Sequence, residues 1–270
     1  MTDNLYEVLK QCRPFFLIAG PCVLEDELTM MKTAEILKQM TSELSLPFVF
    51  KASFLKANRT SPDSHKGPGL EEGLKLLSKI KTSFDVPILT DVHESTDIYA
   101  VKDVCDIIQI PAFLSRQTPL IQAAAQTGKI INIKKGQFMA PEDMKSAAAK
   151  VTSIGNFNVL LTERGSSFGY HNLVVDFRSF KIMQSMGFPV IYDVTHSLQK
   201  PSESHQSGGS PEFIKMMAQA AMATGFVNGL FIETHPEPAN ALSDAASMLA
   251  LDKLPNLLRS CIRIKLAEGS

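Results

Sequence analysis

"FFLIAGPCVLE", residues 15–25, decides how this chain is read. An apolar run climbs to Ala19, turns through Gly20 and Pro21, and delivers a thiol, Cys22, where a strand would end. Seven more runs follow: "FVFKAS" (48–53), "PILTDV" (87–92), "IIQIPAF" (107–113), "IINIKKG" (130–136), "NVLLTERG" (158–165), "PVIYDVTH" (189–196) and "GLFIETH" (229–235). Longer segments lie between them, such as 27–44, 69–84, 118–128 and 210–225. Their apolar residues recur every three or four positions, as a helix laid on a sheet requires.

Eight strand–helix units within roughly 250 residues predict an α/β protein, a closed (β/α)8 TIM barrel. The alternative is an open doubly wound sheet. It usually has fewer strands and a Gly-rich first turn, whereas "GPC" has no GxGxxG. Residues 1–14 are expected to be a short N-terminal extension capping the bottom of the barrel, and residues 15–270 a single barrel domain.

Composition narrows the function classes. The 27 basic and 28 acidic side chains nearly cancel, which argues against broad attraction to nucleic acid or to an anionic membrane. No 18-residue apolar stretch occurs, and "MTDNLYEVLKQC" lacks the apolar region of a signal peptide. The expected location is the cytoplasm. Cys12, Cys22, Cys105 and Cys261 show no CxxC spacing, so reduced thiols are expected there rather than a disulfide framework.

In such a barrel the C-terminal strand ends converge on one mouth. Here all eight end in polar residues, and converging charges that must be desolvated have no use in a purely structural barrel. Lys51, Lys56, Arg59, Arg116, Lys134, Lys135 and Arg164 are more cations than one phosphate needs. They imply an anionic ligand with two phosphate groups. In "IINIKKG" the alternation turns Asn132 and Lys134 into the barrel, and Ile131 and Ile133 toward the helices. Lys135 then faces away. Cys22, His196, Glu233 and Asp244 lie on strands one, seven and eight and the loop after eight, which are neighbours in a closed barrel. A thiolate, an imidazole and two carboxylates suit a divalent ion such as Zn, Fe, Mn or Co. Cys12, Cys105 and Cys261 read as small buried hydrophobes. The polar stretch 197–210, after strand seven, is expected to act as a lid over the mouth.

The motifs "GPCVLE", "FKASFLKANRTS", "TDVHE", "IIQIPAFLSRQT", "IKKGQF", "LTERGSSFGYHNLVVDFRS", "DVTHSLQ" and "FIETHPEPANALSD" closely resemble those of the 3-deoxy-D-manno-octulosonate 8-phosphate synthases. The likeness runs in order from about residue 15 to 250. That family condenses phosphoenolpyruvate with D-arabinose 5-phosphate on a (β/α)8 barrel, commonly as a homotetramer, in making the core sugar of lipopolysaccharide. A related heptulosonate phosphate synthase uses erythrose 4-phosphate and carries a KPRTS-like motif, where this chain reads "KANRTS" with Asn58 in place of the proline. The octulosonate pattern usually reads KANRSS. Thr60 departs from it but keeps the hydroxyl.

The resemblance implies that Lys56, Lys134, Gln137 and Arg164 hold phosphoenolpyruvate, with Lys134 and Arg164 on its phosphate. Asn58, Arg59 and Thr60 would bind arabinose 5-phosphate, and Arg116 would reach that phosphate from a neighbouring subunit. Lys51 joins the substrate-binding set, and Asp91 and His93 line the pocket floor. Lys56, Asn58, Lys134, His196 and Asp244 form the expected catalytic set. The family has a metal-dependent branch with cysteine in the first motif and a metal-free branch with asparagine. Cys22 implies the former, with His196, Glu233 and Asp244 as the other ligands. Rival readings are the heptulosonate reaction, an aldolase with a Schiff-base lysine, and a non-catalytic sugar-phosphate-binding barrel.

Overall fold

The computed structural model describes residues 2–57, 65–200 and 208–268. Eight parallel strands run in chain order: β1 (Phe16–Gly20), β2 (Phe48–Lys51), β3 (Ile88–Asp91), β4 (Ile107–Ile110), β5 (Ile130–Lys134), β6 (Val159–Glu163), β7 (Val190–Asp193) and β8 (Gly229–His235). Each pairs with the next, and β8 returns to pair with β1 in the register Phe16↔Gly229 to Gly20↔Glu233, which closes the barrel. All eight expected strands form, and the open-sheet alternative is excluded.

The strands carry side chains on two faces because successive residues point opposite ways. One set, including Phe15, Leu17, Phe50, Ile131, Ile133 and Leu161, packs outward against the helices. The other set, Phe16, Ile18, Val49, Leu89, Ile107, Ile130, Leu160, Ile191 and Phe231, fills the barrel interior. Ile131 and Ile133 therefore face outward as the alternation predicts. Burying each such Leu, Ile or Phe contributes about 1.5–3 kcal/mol.

The barrel helices are α2 (Glu27–Glu43), α3 (Leu70–Phe84), α4 (Ile98–Val104), α5 (Thr118–Ala125), α6 (Met144–Thr152), α7 (Arg178–Gln184), α9 (Ile214–Ala223) and α10 (Leu254–Glu268), with a single turn, α8 (Val194–Ser197), directly after β7. The start of α2 shows why its boundary is sharp. The Asp26 carboxylate accepts from the Thr29 amide at 2.9 Å, which satisfies one of the orphan donors of the first turn. Its buried face, Met30, Ala34, Leu37 and Met40, has the helical spacing of an element packed on one side.

Before β1, helix α1 (Thr2–Gln11) turns Tyr6 and Leu9 into the interior cluster. The Tyr6 hydroxyl donates to the carbonyl of Val159 at the start of β6. Gly20 ends β1 where a Cβ would fall inside contact distance of the Lys51 carbonyl oxygen. Glycine there lets β1 lie close to β2 at the barrel mouth. Among the described residues, no helix is long and apolar enough to cross a membrane.

Candidate active site

Above the apolar interior, inward positions nearer the mouth carry Lys51 on β2, Asp91 on β3, Lys134 on β5, Asp193 on β7 and Glu233 on β8, all nearly or completely buried. The chain alternates strictly, so the last inward residue of each strand lands at the mouth whatever its polarity. Lys134 points inward as expected, with Nζ 3.9 Å from the Phe231 ring centroid. The ring beneath the ammonium supplies a favourable cation–π contact.

Cys22, Glu233 and Asp244 each offer one ligand atom, and these atoms lie within 4.8 Å of one another. The Cys22 thiol is 2.9 Å from the Ser243 hydroxyl and 3.1 Å from Asp244 Oδ2. His196 approaches the group through Glu233, its Nε2 lying 3.5 Å from Glu233 Oε1. On its other side Nδ1 sits 3.0 Å from Asp193 Oδ1. A carboxylate on one imidazole nitrogen fixes the ring and turns the other nitrogen toward a ligand position. Cys22, Glu233 and Asp244 could together hold a divalent ion, with His196 alongside through Glu233, and two observations fit this. Their donors are one sulfur, one nitrogen and two carboxylates, and Glu233 Oε2 is buried without a hydrogen-bond partner. Burial pushes the Cys22 thiol far above its ordinary range, with Asp244 and Glu233 adding to the effect.

Much of the positive charge at the mouth is matched by carboxylates. Lys51 donates to Glu233 Oε1 at 2.6 Å and to the Cys22 carbonyl at 2.9 Å. Lys134 pairs with Asp193. Burial opposes the charge on Asp193 and Glu233, yet the cations around them hold both well below the usual carboxylate range. Burial also lowers Lys134 and His196. Lys56 is buried among Cys22, Asp91, Glu233 and Asp244, which together outweigh its desolvation and raise it. Asp91 accepts from Ser53 and faces His93 Nε2 at 3.3 Å.

Arg164 and Gln137, like Glu233, keep unused hydrogen-bonding capacity. Arg164 is buried and donates to the His196 carbonyl at 3.0 Å and to Gln199 Oε1 at 3.1 Å, while its Nε has no partner. Gln137 is buried with Oε1 unpartnered. A buried guanidinium whose partners among the described residues are neutral oxygens suits an incoming anion.

The expected residues are therefore placed unevenly. Cys22, Lys51, Lys56, Asp91, His93, Lys134, Gln137, Arg164, His196 and Glu233 are all buried or nearly so, and Asp244 stands beside Cys22. Asn58, Arg59 and Thr60 lie outside the described residues. Arg116 is exposed, and its carbonyl accepts from Lys150 at 2.9 Å. Of the stretch 197–210, expected as a lid, only the two ends are described, and there Gln199–Lys200 and Gly208–Gly209 pair as an antiparallel ribbon. Residues with no role assigned from sequence also matter. Asp193 holds both Lys134 and His196, Ser53 bonds Asp91, and Ser243 bonds Cys22. Asp193 shares its face with Ile191, and that alternation was the available signal. Nothing in the spacing of Ser243 pointed to Cys22.

Comparison with known proteins agrees with this architecture. A family model described as the DAHP synthetase I family matches residues 11–267. The 2-dehydro-3-deoxyphosphooctonate aldolase of Pelobacter propionicus is 53% identical over 247 residues, 91% of this chain and 90% of its own length. The protein of the same name from Legionella pneumophila is 53% identical over 249 residues, 92% of this chain and 90% of its own. That from Geobacter sp. strain M21 is 51% identical over 248 residues, with the same coverage of both chains. With a match over nearly its whole length and a closed eight-stranded barrel to carry it, the chain belongs to the DAHP synthetase I family.

Proposed function

We propose that this enzyme condenses phosphoenolpyruvate with D-arabinose 5-phosphate and water, giving 3-deoxy-D-manno-octulosonate 8-phosphate and inorganic phosphate. The relatives bear the name 2-dehydro-3-deoxyphosphooctonate aldolase, after the eight-carbon sugar acid of this reaction. The observation that carries the reading is the buried mouth itself. Lys134 and Arg164 stand within reach of His196, beside the Cys22, Glu233 and Asp244 group.

Two phosphorylated substrates repel each other. Two unit charges about 5 Å apart at an effective dielectric of about 20 cost roughly 3 kcal/mol. Lys134 and Arg164 would grip the phosphate of phosphoenolpyruvate, with Lys56 and Gln137 orienting the rest of the molecule. Lys51, Asn58, Arg59 and Thr60 would hold the sugar phosphate, and Asp91 and His93 the pocket floor. Asp193 and Glu233 pair with Lys134 and Lys51. This keeps buried cations from standing unpaired. Fixing both reactants makes the encounter nearly unimolecular, worth up to about 7–11 kcal/mol.

The enol carbon C3 of phosphoenolpyruvate attacks the sugar aldehyde, whose oxygen takes up a proton. Water adds at C2 and loses a proton, and the hemiketal phosphate collapses by C–O cleavage, releasing phosphate. A divalent ion held by Cys22, His196, Glu233 and Asp244 would orient and polarise the aldehyde or the attacking water. Which ion serves, Zn, Fe, Mn or Co, is open to metal analysis. In the same reading residues 1–14 close the lower end of a barrel formed by residues 15–270, and the enzyme works in the cytoplasm. A homotetramer would bring Arg116 to a neighbour's site, where an exposed guanidinium would find its phosphate.

One assay tests the reaction: phosphate release from phosphoenolpyruvate with arabinose 5-phosphate or erythrose 4-phosphate, with and without chelator. The expected result is turnover with arabinose 5-phosphate that chelation abolishes and added metal restores. Preference for erythrose 4-phosphate, or full activity after metal stripping, would overturn the corresponding part. Cys22→Ala should lose bound metal and most turnover. Borohydride with substrate should leave the enzyme active, because no Schiff base forms.

A further inference from the structure

The motifs "IKKG" and "TERG" each place one charged residue inside the barrel and its neighbour outside. Lys134 and Arg164 turn inward, and Lys135 and Glu163 turn outward into a buried space where both side chains are almost completely hidden. There Lys135 Nζ lies 3.4 Å from Glu163 Oε1. It also donates to the carbonyls of Gly136, Met139 and Gly165 at 3.3 Å and to the Ser166 hydroxyl at 3.1 Å. Glu163 Oε1 folds back to accept from the amides of Arg164 at 2.9 Å and Gly165 at 2.7 Å. The two loops are joined once more where the Ser167 amide donates to the Gln137 carbonyl at 2.9 Å.

We propose that Lys135 and Glu163 are positioning residues, an outer ion pair that sets the spacing of Lys134 and Arg164 and with it the grip on the substrate phosphate. The pair touches no substrate. Glu163 fixes the chain direction at the residue that carries the guanidinium, and Lys135 binds the loop after β5 to the loop after β6. Charged groups hidden this well cost much to desolvate, and the hydrogen bonds of Lys135 and of Glu163 Oε1 offset that cost only in this one geometry. A displacement of one ångström at a substrate-holding residue can cost a hundredfold in rate.

This inference rests on the reading of Lys134 and Arg164 as the phosphoenolpyruvate grip. The test measures KM for each substrate, kcat and melting temperature in the full-length enzyme carrying Lys135→Met, Glu163→Ala or Glu163→Gln. Lys135→Met and Glu163→Ala should raise KM for phosphoenolpyruvate by about tenfold or more, while KM for the sugar phosphate stays within about twofold of wild type. Glu163→Gln keeps an oxygen for the two amides and should fall between. A role confined to folding lowers kcat and melting temperature but leaves the KM of the folded fraction unchanged. Unchanged KM for phosphoenolpyruvate in an active variant, or equal rises for both substrates, would overturn the pair alone. A wild type that releases no phosphate overturns the reading of the site as well. If Lys135→Met does not fold, Glu163→Gln carries the same measurement.

Discussion

Nδ1 of the His196 imidazole lies 3.0 Å from Oδ1 of Asp193, and the same carboxylate pairs with Lys134. One buried aspartate thus orients a metal-ligand candidate and balances a lysine proposed to bind substrate. Asp193→Asn removes the charge and keeps the size. Metal affinity should fall about 10–100-fold, as for other partners of ligating histidines. Competition with a chelator of known affinity measures the change, and an unaltered affinity would show that His196 needs no orienting.

Metal binding should depend on pH through Cys22. Burial raises its thiol, so the free site holds the proton at neutral pH, whereas the ligand is the thiolate. Binding must expel that proton, and apparent affinity should rise about tenfold per pH unit for each proton released. Calorimetry in two buffers of different protonation enthalpy counts the protons, and a binding heat that does not change with buffer would overturn the link to Cys22.

Asp91 supplies a pH-dependent part of stability. Burial opposes its charge, but Lys56, then His93 and Lys51, hold it well below the ordinary carboxylate range. The folded value lies under the unfolded value of about 3.9. Its contribution is therefore complete above about pH 4 and lost as pH falls through the folded value. Asp91→Asn leaves Lys56 less well paired and should cost about 3 kcal/mol at pH 7. Denaturant unfolding at pH 7, 5 and 3 should show the gap to wild type closing only at the lowest pH.

Gly20→Ala tests the close approach of β1 and β2. The added methyl meets the Lys51 carbonyl oxygen, and backbone cannot move aside as a flexible side chain can. Stability should fall by about 1–3 kcal/mol, the usual cost of overpacking. Metal affinity should fall with it, because Lys51 and Cys22 are displaced together. Melting temperature and chelator competition read the two effects, and a stable variant with normal affinity would argue that the strands can separate.

Period-two alternation, read in "IINIKKG", was enough to direct Lys134 inward and Ile131 and Ile133 outward. The eight repeats of strand and helix were enough to specify a closed barrel. These are local properties: each residue's direction follows from its neighbour's, and each helix's buried face from its own spacing. Cys22, Glu233 and Asp244 could be proposed together because closure makes the last strand adjacent to the first.

The pairing of charges was not legible in the same way. Lys51 reads from sequence as one more phosphate-binding cation, yet its ammonium is held by Glu233, 182 positions away. Lys135 reads as a charge directed away from the site, yet it is buried against Glu163 and four loop oxygens. Partner choice among buried charges depends on which side chains closure brings within about 3 Å. It also depends on which combination leaves the fewest desolvated groups unpaired. The chain alone determined which residues face the mouth, while the tertiary structure decided which of them neutralise one another.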